Sequence, residues 1–180
     1  MLFIAFRSGG VKITVHIFRR AREETETSKA APGVGANGDI AVIVDGKRLD
    51  KELVRLACFM AKRGKRKIHL VHIIEVPRTL PLKATLTEAS EKADRLLTEA
   101  MTIADEQGCE AIAEVVQTRD AGPAIVDEAK DHACALILLG LVRNEKKGSG
   151  GNDLGKTIPF VLANAPCRVW VVQDPPAPTP

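Results

Sequence analysis

Residues 134–172 read CALILLGLVRNEKKGSGGNDLGKTIPFVLANAPCRVWVV. The apolar run Ala135–Leu139 stops at Gly140. A polar, glycine-rich loop follows, then Gly155-Lys156-Thr157, a short helical stretch and a second apolar run, Val169–Val172. Strand, glycine loop, helix, strand is the order of an α/β phosphate site, because a helix N-terminus presents unpaired N–H groups and partial positive charge. Within it Gly150–Thr157, G-G-N-D-L-G-K-T, satisfies the nucleotide-loop pattern G-x-x-x-x-G-K-[ST].

Context argues against a P-loop NTPase. That loop needs its first glycine directly after a strand, so that the chain wraps the phosphates. Gly150 lies ten residues beyond Gly140, and the intervening residues are polar and charged. Only one apolar run follows, with no metal-binding Asp at the end of a further strand. Pro159, two residues past Thr157, is tolerable in a first helical turn but unusual for the motif.

Working back from this stretch, the pattern is regular from Asp39 onward. Ile40–Val44 is an uninterrupted apolar run, as expected for a strand covered on both faces, and Asp45-Gly46 ends it. Leu49, Leu53, Leu56, Ala57 and Met60 recur at helical spacing, and Gly64 is the expected stop. Ile68–Val76 reads as the second strand and 86–106 as an amphipathic helix stopped by Gly108. Ala111–Val116 reads as the third strand. Gly122-Pro123 opens a helix with proline near its first position, Ala135–Leu139 is the fourth strand and Val169–Val172 the fifth. Five strands alternating with four helices predict a doubly wound α/β fold with a parallel sheet and right-handed crossovers. Ligands of such sheets sit beyond the strand C-termini, where the strand order reverses.

The rest of the chain reads as appendages. Residues 1–38 are expected to be an N-terminal arm and linker, 39–173 the domain and 174–180 a proline-rich tail. Val11–Ile17 alternates apolar and polar residues like a half-buried strand, and Arg7–Gly10 offers a turn that would fold Leu2–Phe6 back onto it. Alone, such a hairpin is marginal in water. Gly33-Val34-Gly35-Ala36-Asn37-Gly38 matches G-x-G-x-x-G, but the fingerprint must follow a strand and open a helix. Here it precedes a strand and reads as a flexible linker.

Composition narrows the function. The chain has 180 residues, 45% apolar and 27% charged, ordinary values for a globular protein. Residues 1–38 hold six of the 26 basic and three of the 23 acidic residues, so 39–180 carry 20 of each sign. A neutral domain with 3% aromatic residues supports no nucleic-acid partner. Cys58, Cys109, Cys134 and Cys167 are scattered, with no C-x-x-C and no Cys/His cluster, so no metal is expected and the thiols read as small buried residues. That usage fits a reducing cytoplasm. No segment reaches the roughly 18 apolar residues of a membrane span.

The strand ends carry the candidate chemistry. Asp45 offers a carboxylate to ribose hydroxyls or a base edge, and Ile73 an apolar face for adenine. Gly140 allows close approach to a ribose, while Gly155, Lys156 and Thr157 offer N–H, ammonium and hydroxyl to phosphates. Each has a plainer reading. Asp-Gly is common turn chemistry, Gly155 suits close helix packing and Lys156 a solvated helix start. No His, Cys or carboxylate is clearly placed to activate water, so a catalytic set is not expected.

With these residues in view, 39–173 resembles the universal stress protein family. Ile40–Gly46 is similar to the family's first strand ending in Asp-Gly, and Leu70–Glu75 to its second strand around a His. Gly122–Ile125 resembles the turn opening its third helix. Leu136–Gly140 with Leu154-Gly155 and Val161–Val169 resembles its C-terminal signature. The resemblance implies strand order 3-2-1-4-5 and a homodimer through the fifth strand, here Val169, Trp170, Val171 and Val172, an uncharged edge of the kind that invites pairing. It implies ATP or AMP as ligand, with Mg²⁺ accompanying ATP, held by Val44, Asp45, Ile73, Gly140, Arg143, Gly155, Lys156 and Thr157. The family's nucleotide binders carry G-x2-G-x9-G-[ST]. Here Arg143 stands for the second glycine, the loop is two residues longer, and Lys156 precedes the hydroxyl of Thr157. Ile43 stands where ATP binders often have proline. The expected function is regulatory, with or without nucleotide. The basic N-terminal segment 1–38 allows membrane or transporter contact as an alternative.

Overall fold

The computed structural model describes residues 4–8, 11–17, 38–82, 84, 86–141 and 154–173. In chain order the elements are β1 (Ile4–Ser8), β2 (Val11–Ile17), β3 (Ile40–Ile43), α1 (Asp50–Gly64), β4 (Ile68–Glu75) and α2 (Thr87–Glu106). They continue with β5 (Ala111–Thr118), α3 (Ala121–Asp131), β6 (Leu136–Leu141), α4 (Thr157–Asn164) and β7 (Arg168–Gln173). One sheet holds all seven strands in the order β1-β2-β5-β4-β3-β6-β7. The five strands β5-β4-β3-β6-β7, ending at the β7 edge, are parallel throughout and follow the expected order 3-2-1-4-5. The order reverses at β3, which lies between β4 and β6, with Ile40 opposite both Ile68 and Leu136.

The hairpin is not isolated. β1 pairs antiparallel with β2, and β2 lies parallel to β5, with Val15 opposite Val115. The edge of the five-stranded unit is thereby paired, which supplies the sheet neighbour that a lone hairpin lacks. Of the G-x-G-x-x-G run, Gly33–Asn37 lie outside the described residues. Gly38 packs tightly: a Cβ there would fall 2.5 Å from the Ala133 carbonyl oxygen and 2.8 Å from the Ala135 nitrogen.

The uninterrupted apolar character of β3 follows from its two covered faces. Ile40, Val42 and Val44 pack with Leu53, Val54, Ala57, Leu97 and Ala100 under α1 and α2. Ala41 and Ile43 pack with Ile125, Ala129, Ile158 and Val161 under α3 and α4. In α1, Leu53, Val54, Ala57, Cys58 and Ala61 form the buried stripe, and Asp50 and Glu52 at its start with Lys62 and Arg63 at its end complement the helix dipole. The stop differs by one residue from expectation. Gly64 is the last helical residue, and Lys65, at φ 50°, takes the left-handed conformation. Cys58, Cys109 and Cys134 are buried free thiols and Cys167 is half-buried. Burial pushes the Cys58 and Cys134 thiols up to about 12, which makes them poor nucleophiles. Among the described residues no helix is long and apolar enough to cross a membrane.

Candidate functional site

A cleft of about 360 Å³ opens at the C-terminal end of the sheet, on the face covered by α3 and α4. Five of the expected residues line it: Asp45, Ile73, Gly140, Gly155 and Thr157. They arrive from the β3 end, from β4, from β6 and from the start of α4, so the convergence is a product of the strand order. Ile43, Leu139 and Ile158 supply apolar wall, and the titratable lining groups are Asp45, Lys47 and Glu75.

The other three expected residues lie elsewhere. Val44 is buried, and its side chain packs on the opposite sheet face with Leu53 and Leu97. Its contribution is structural: the Val44 carbonyl accepts a hydrogen bond of 2.6 Å from buried His72 Nδ1, which locks the end of β3 to β4. Lys156 is exposed at the rim, its ammonium 3.2 Å from Glu75 and 3.4 Å from Asp120. Its pKa is raised, first by the hydrogen bond to Glu75 and then by the charge of that carboxylate. Arg143 lies outside the described residues.

Local geometry fixes the Asp45 loop. Gly46 has φ 78°, a conformation that glycine adopts without strain. Its N–H and that of Lys47 donate to Asp50 Oδ2 at 2.7 and 3.1 Å. Lys47 Nζ in turn donates to Asp45 Oδ2 at 2.7 Å, so the carboxylate is held at the cleft mouth with partial neutralisation.

The two glycines differ from expectation in an instructive way. Gly140 lies inside β6, opposite Val172, because the strand runs to Leu141. A Cβ on it would meet Leu53 Cδ1 at 3.2 Å and Leu49 Cβ at 3.6 Å. The space demand at Gly140 therefore comes from α1, while its backbone borders the cleft. Gly155 is the reverse. Among the described residues nothing lies within 4 Å of a Cβ there, but φ is 59°. Close helix packing is thus not its reason; backbone conformation is.

Glu75 is a group at the strand ends that the expected binding set did not include. From the end of β4 its Oε1 accepts the Ala121 N–H at the start of α3, at 2.9 Å, as well as the Lys156 ammonium. A carboxylate thereby occupies the positive end of α3. Arg119, just before α3, donates to the carbonyls of Val76, Pro77 and Leu80 and pins the segment after β4. A Glu ending a strand and an Asp-Ala-Gly-Pro helix start were both visible in the sequence; their pairing depends on β4 lying beside β5.

A second cavity, about 410 Å³, lies on the other face between α1 and α2. Val44, Val54, Leu96 and Ile103 line it, and Lys51 pairs with Glu99 at 2.5 Å. None of Gly140, Gly155 or Thr157 lines it, so these expected site residues gather in the smaller cleft alone.

The sequence profile of the universal stress protein family matches residues 37–173. The chain belongs to this family. A search of curated proteins finds no match. Among solved structures, the fold is similar to a universal stress protein from Archaeoglobus fulgidus, with TM-score 0.62 and 20% identity over 74% of this chain and 97% of that one. The A. fulgidus protein in complex with dAMP matches at TM-score 0.60 and 18% identity, covering 76% and 98% of the two chains. A universal stress protein family protein from Arabidopsis thaliana with AMP bound matches at TM-score 0.57 and 18% identity, covering 80% and 96%.

As a universal stress protein this chain departs from the family's nucleotide-binding pattern at Lys156, and the structure gives that departure a geometry. The lysine side chain leaves the cleft for Glu75 and Asp120, and Thr157, one residue later, lines it.

Proposed function

We propose that this universal stress protein binds an adenine nucleotide, AMP or ATP, in the cleft at the ends of β3, β4 and β6, and that it signals by binding. The observation that carries the reading is the convergence of Asp45, Ile73, Gly140, Gly155 and Thr157 on one cleft of about 360 Å³, within the size range of small-ligand sites. Solved relatives of the same fold with dAMP, AMP or cAMP bound support it. Asp45 takes the ribose hydroxyls or a base edge, Ile73 covers the adenine face, and the Gly155 backbone and Thr157 hydroxyl take phosphate at the start of α4. When ATP is the ligand, Mg²⁺ accompanies its phosphates as counter-ion. In this reading the protein is a cytoplasmic regulator that dimerises through β7, where Trp170 is 46% exposed on a strand whose only partner among the described strands is β6.

One observation favours a second reading, a stress-protein dimer without nucleotide. Glu75 fills the N-terminus of α3 and, with Asp120, holds the Lys156 ammonium, so among the described residues that cation is already engaged by carboxylates instead of offered to phosphate.

Purified protein is denatured and the released small molecules identified, then the empty protein is titrated with AMP and ATP. Co-purifying or micromolar adenine nucleotide, weakened in Asp45→Asn and Gly155→Ala, supports the first reading. An empty protein indifferent to millimolar AMP and ATP supports the second.

A further inference from the structure

The opposite half of the molecule holds a buried cluster that the nucleotide reading does not use. His69 stands near the start of β4, Glu114 on β5, and His132 just beyond α3, all on the α3 face of the sheet. His69 and Glu114 are nearly inaccessible, at 3% and 4% exposure. The two imidazole rings stack with centroids 4.1 Å apart. His132 Nε2 lies 2.9 Å from Glu114 Oε2 and 3.4 Å from Glu128 Oε2. Hydrogen bonds to these carboxylates, Glu114 first, hold the His132 pKa up at about 10.

His69 supplies the second, independent observation. Asp39 accepts the Lys67 backbone N–H at 3.0 Å through Oδ1 and contacts His69 Nε2 at 3.0 Å through Oδ2. A carboxylate on Nε2 fixes the proton there and leaves Nδ1 as a lone-pair donor. That Nδ1 is buried and has no hydrogen-bond partner among the described residues. An imidazole held by a carboxylate on one nitrogen, with the other buried and unpartnered among the described residues, is the usual support of a metal-binding histidine.

One donor atom from each of His69, Glu114 and His132 lies within 4.8 Å of the other two. A tetrahedral site with bonds of about 2.1 Å needs ligand separations of about 3.4 Å. Binding therefore requires the donor atoms to draw together and the stacked rings to separate. We propose that His69, Glu114 and His132 bind a first-row transition dication of the zinc class, with Glu128 beside it and Asp39 positioning His69. Two imidazoles and carboxylates suit Zn²⁺ or Co²⁺. The partial exposure of His132 gives the ion entry. The ion ties the C-terminal end of α3 to β4 and β5, and the far end of β4 lines the proposed nucleotide cleft.

The test uses the full chain, stripped with chelator and titrated with Co²⁺ or Zn²⁺ alone. The expected result is one Co²⁺ per chain with the visible bands of a four-coordinate ion, displaced by Zn²⁺. Affinity falls at least about 100-fold in His69→Ala and His132→Ala, and about 10- to 100-fold in Asp39→Asn. Cys134→Ser is the essential control, because burial and the charges of Asp39, Glu114 and Glu128 all act on that thiol. It leaves affinity unchanged, and no sulfur-to-metal charge-transfer band appears. Should the histidine variants not fold, the melting temperature of the wild-type chain decides: it rises with the logarithm of Zn²⁺ concentration. A wild-type chain with neither Co²⁺ bands nor a melting shift at millimolar metal overturns the proposal, as does binding that survives both histidine substitutions or is lost in Cys134→Ser.

Discussion

Gly140→Ala separates two reasons for a glycine at the heart of the cleft. In the sequence it reads as a point of close ligand approach. In the structure its missing Cβ faces α1, where Leu53 Cδ1 stands 3.2 Å away and Leu49 Cβ 3.6 Å away. Leu53 is fully buried and cannot swing aside into solvent. Adding the methyl group therefore overpacks a closed site, a change that costs about 1–3 kcal/mol. Leu53→Ala alone leaves a cavity and costs about 2–5 kcal/mol. Combined, the two changes compensate, because the new methyl enters the space that Leu53 vacates. The double mutant is expected to be no less stable than Leu53→Ala, which gives a coupling in favour of the pair at least equal to the Gly140→Ala cost, about 1–3 kcal/mol. Urea unfolding of the four proteins at one pH measures it, with unchanged m-values as the check that the denatured state is comparable. Additive costs within about 0.5 kcal/mol refute the packing argument. So does a Gly140→Ala protein of wild-type stability.

Three further outcomes follow from other sites. At Gly155 the constraint is conformational, with φ 59° and, among the described residues, open space around a Cβ, so Gly155→Ala costs about 1–2 kcal/mol and Gly155→Asn distinctly less. Equal costs for the two in urea melts contradict this. Gly38→Ala drives a Cβ into backbone atoms of 133–135 and is expected to cost about 2–3 kcal/mol, lowering the melting temperature by roughly 4–12 °C; a shift below 1 °C speaks against the tight seating of this residue. Trp170→Arg leaves monomer stability within about 0.5 kcal/mol, since the side chain is half-exposed, but converts dimer to monomer in sedimentation experiments. A wild-type chain that sediments as monomer at high micromolar concentration removes the β7 dimer.

The fold was legible because its signals are local and strong. The apolar run of β3, buried on both faces, and the helical stripe of α1 each state their element and its inner side. Strand ends named the cleft for the same reason: in a parallel sheet, Asp45, Gly140 and Thr157 must fall on one rim. The missed features are those in which one residue is defined by another far along the chain. Val44 alternates to the opposite face, a consequence of strand periodicity that placing the strand end alone does not settle. Glu75 reaches Ala121 across 46 residues, and His69 meets Asp39 across 30. Glu114 and His132 sit on a strand and past a helix with no metal-ligand spacing to mark them, so only the pairing of β4 with β5 exposes their proximity to His69. The hairpin shows the same limit. Alternation identified β2, but nothing in residues 11–17 names β5 as its neighbour.

The central claim is that an adenine nucleotide occupies the cleft at the ends of β3, β4 and β6. Backbone amide NMR of the labelled full-length chain during an AMP titration tests it residue by residue. The account predicts saturable shifts concentrated at Asp45, Ile73, Gly140, Gly155 and Thr157, with Leu96 and Ile103 of the α1–α2 cavity unmoved. Shifts that map to that cavity, or a spectrum that millimolar AMP leaves unchanged, contradict it.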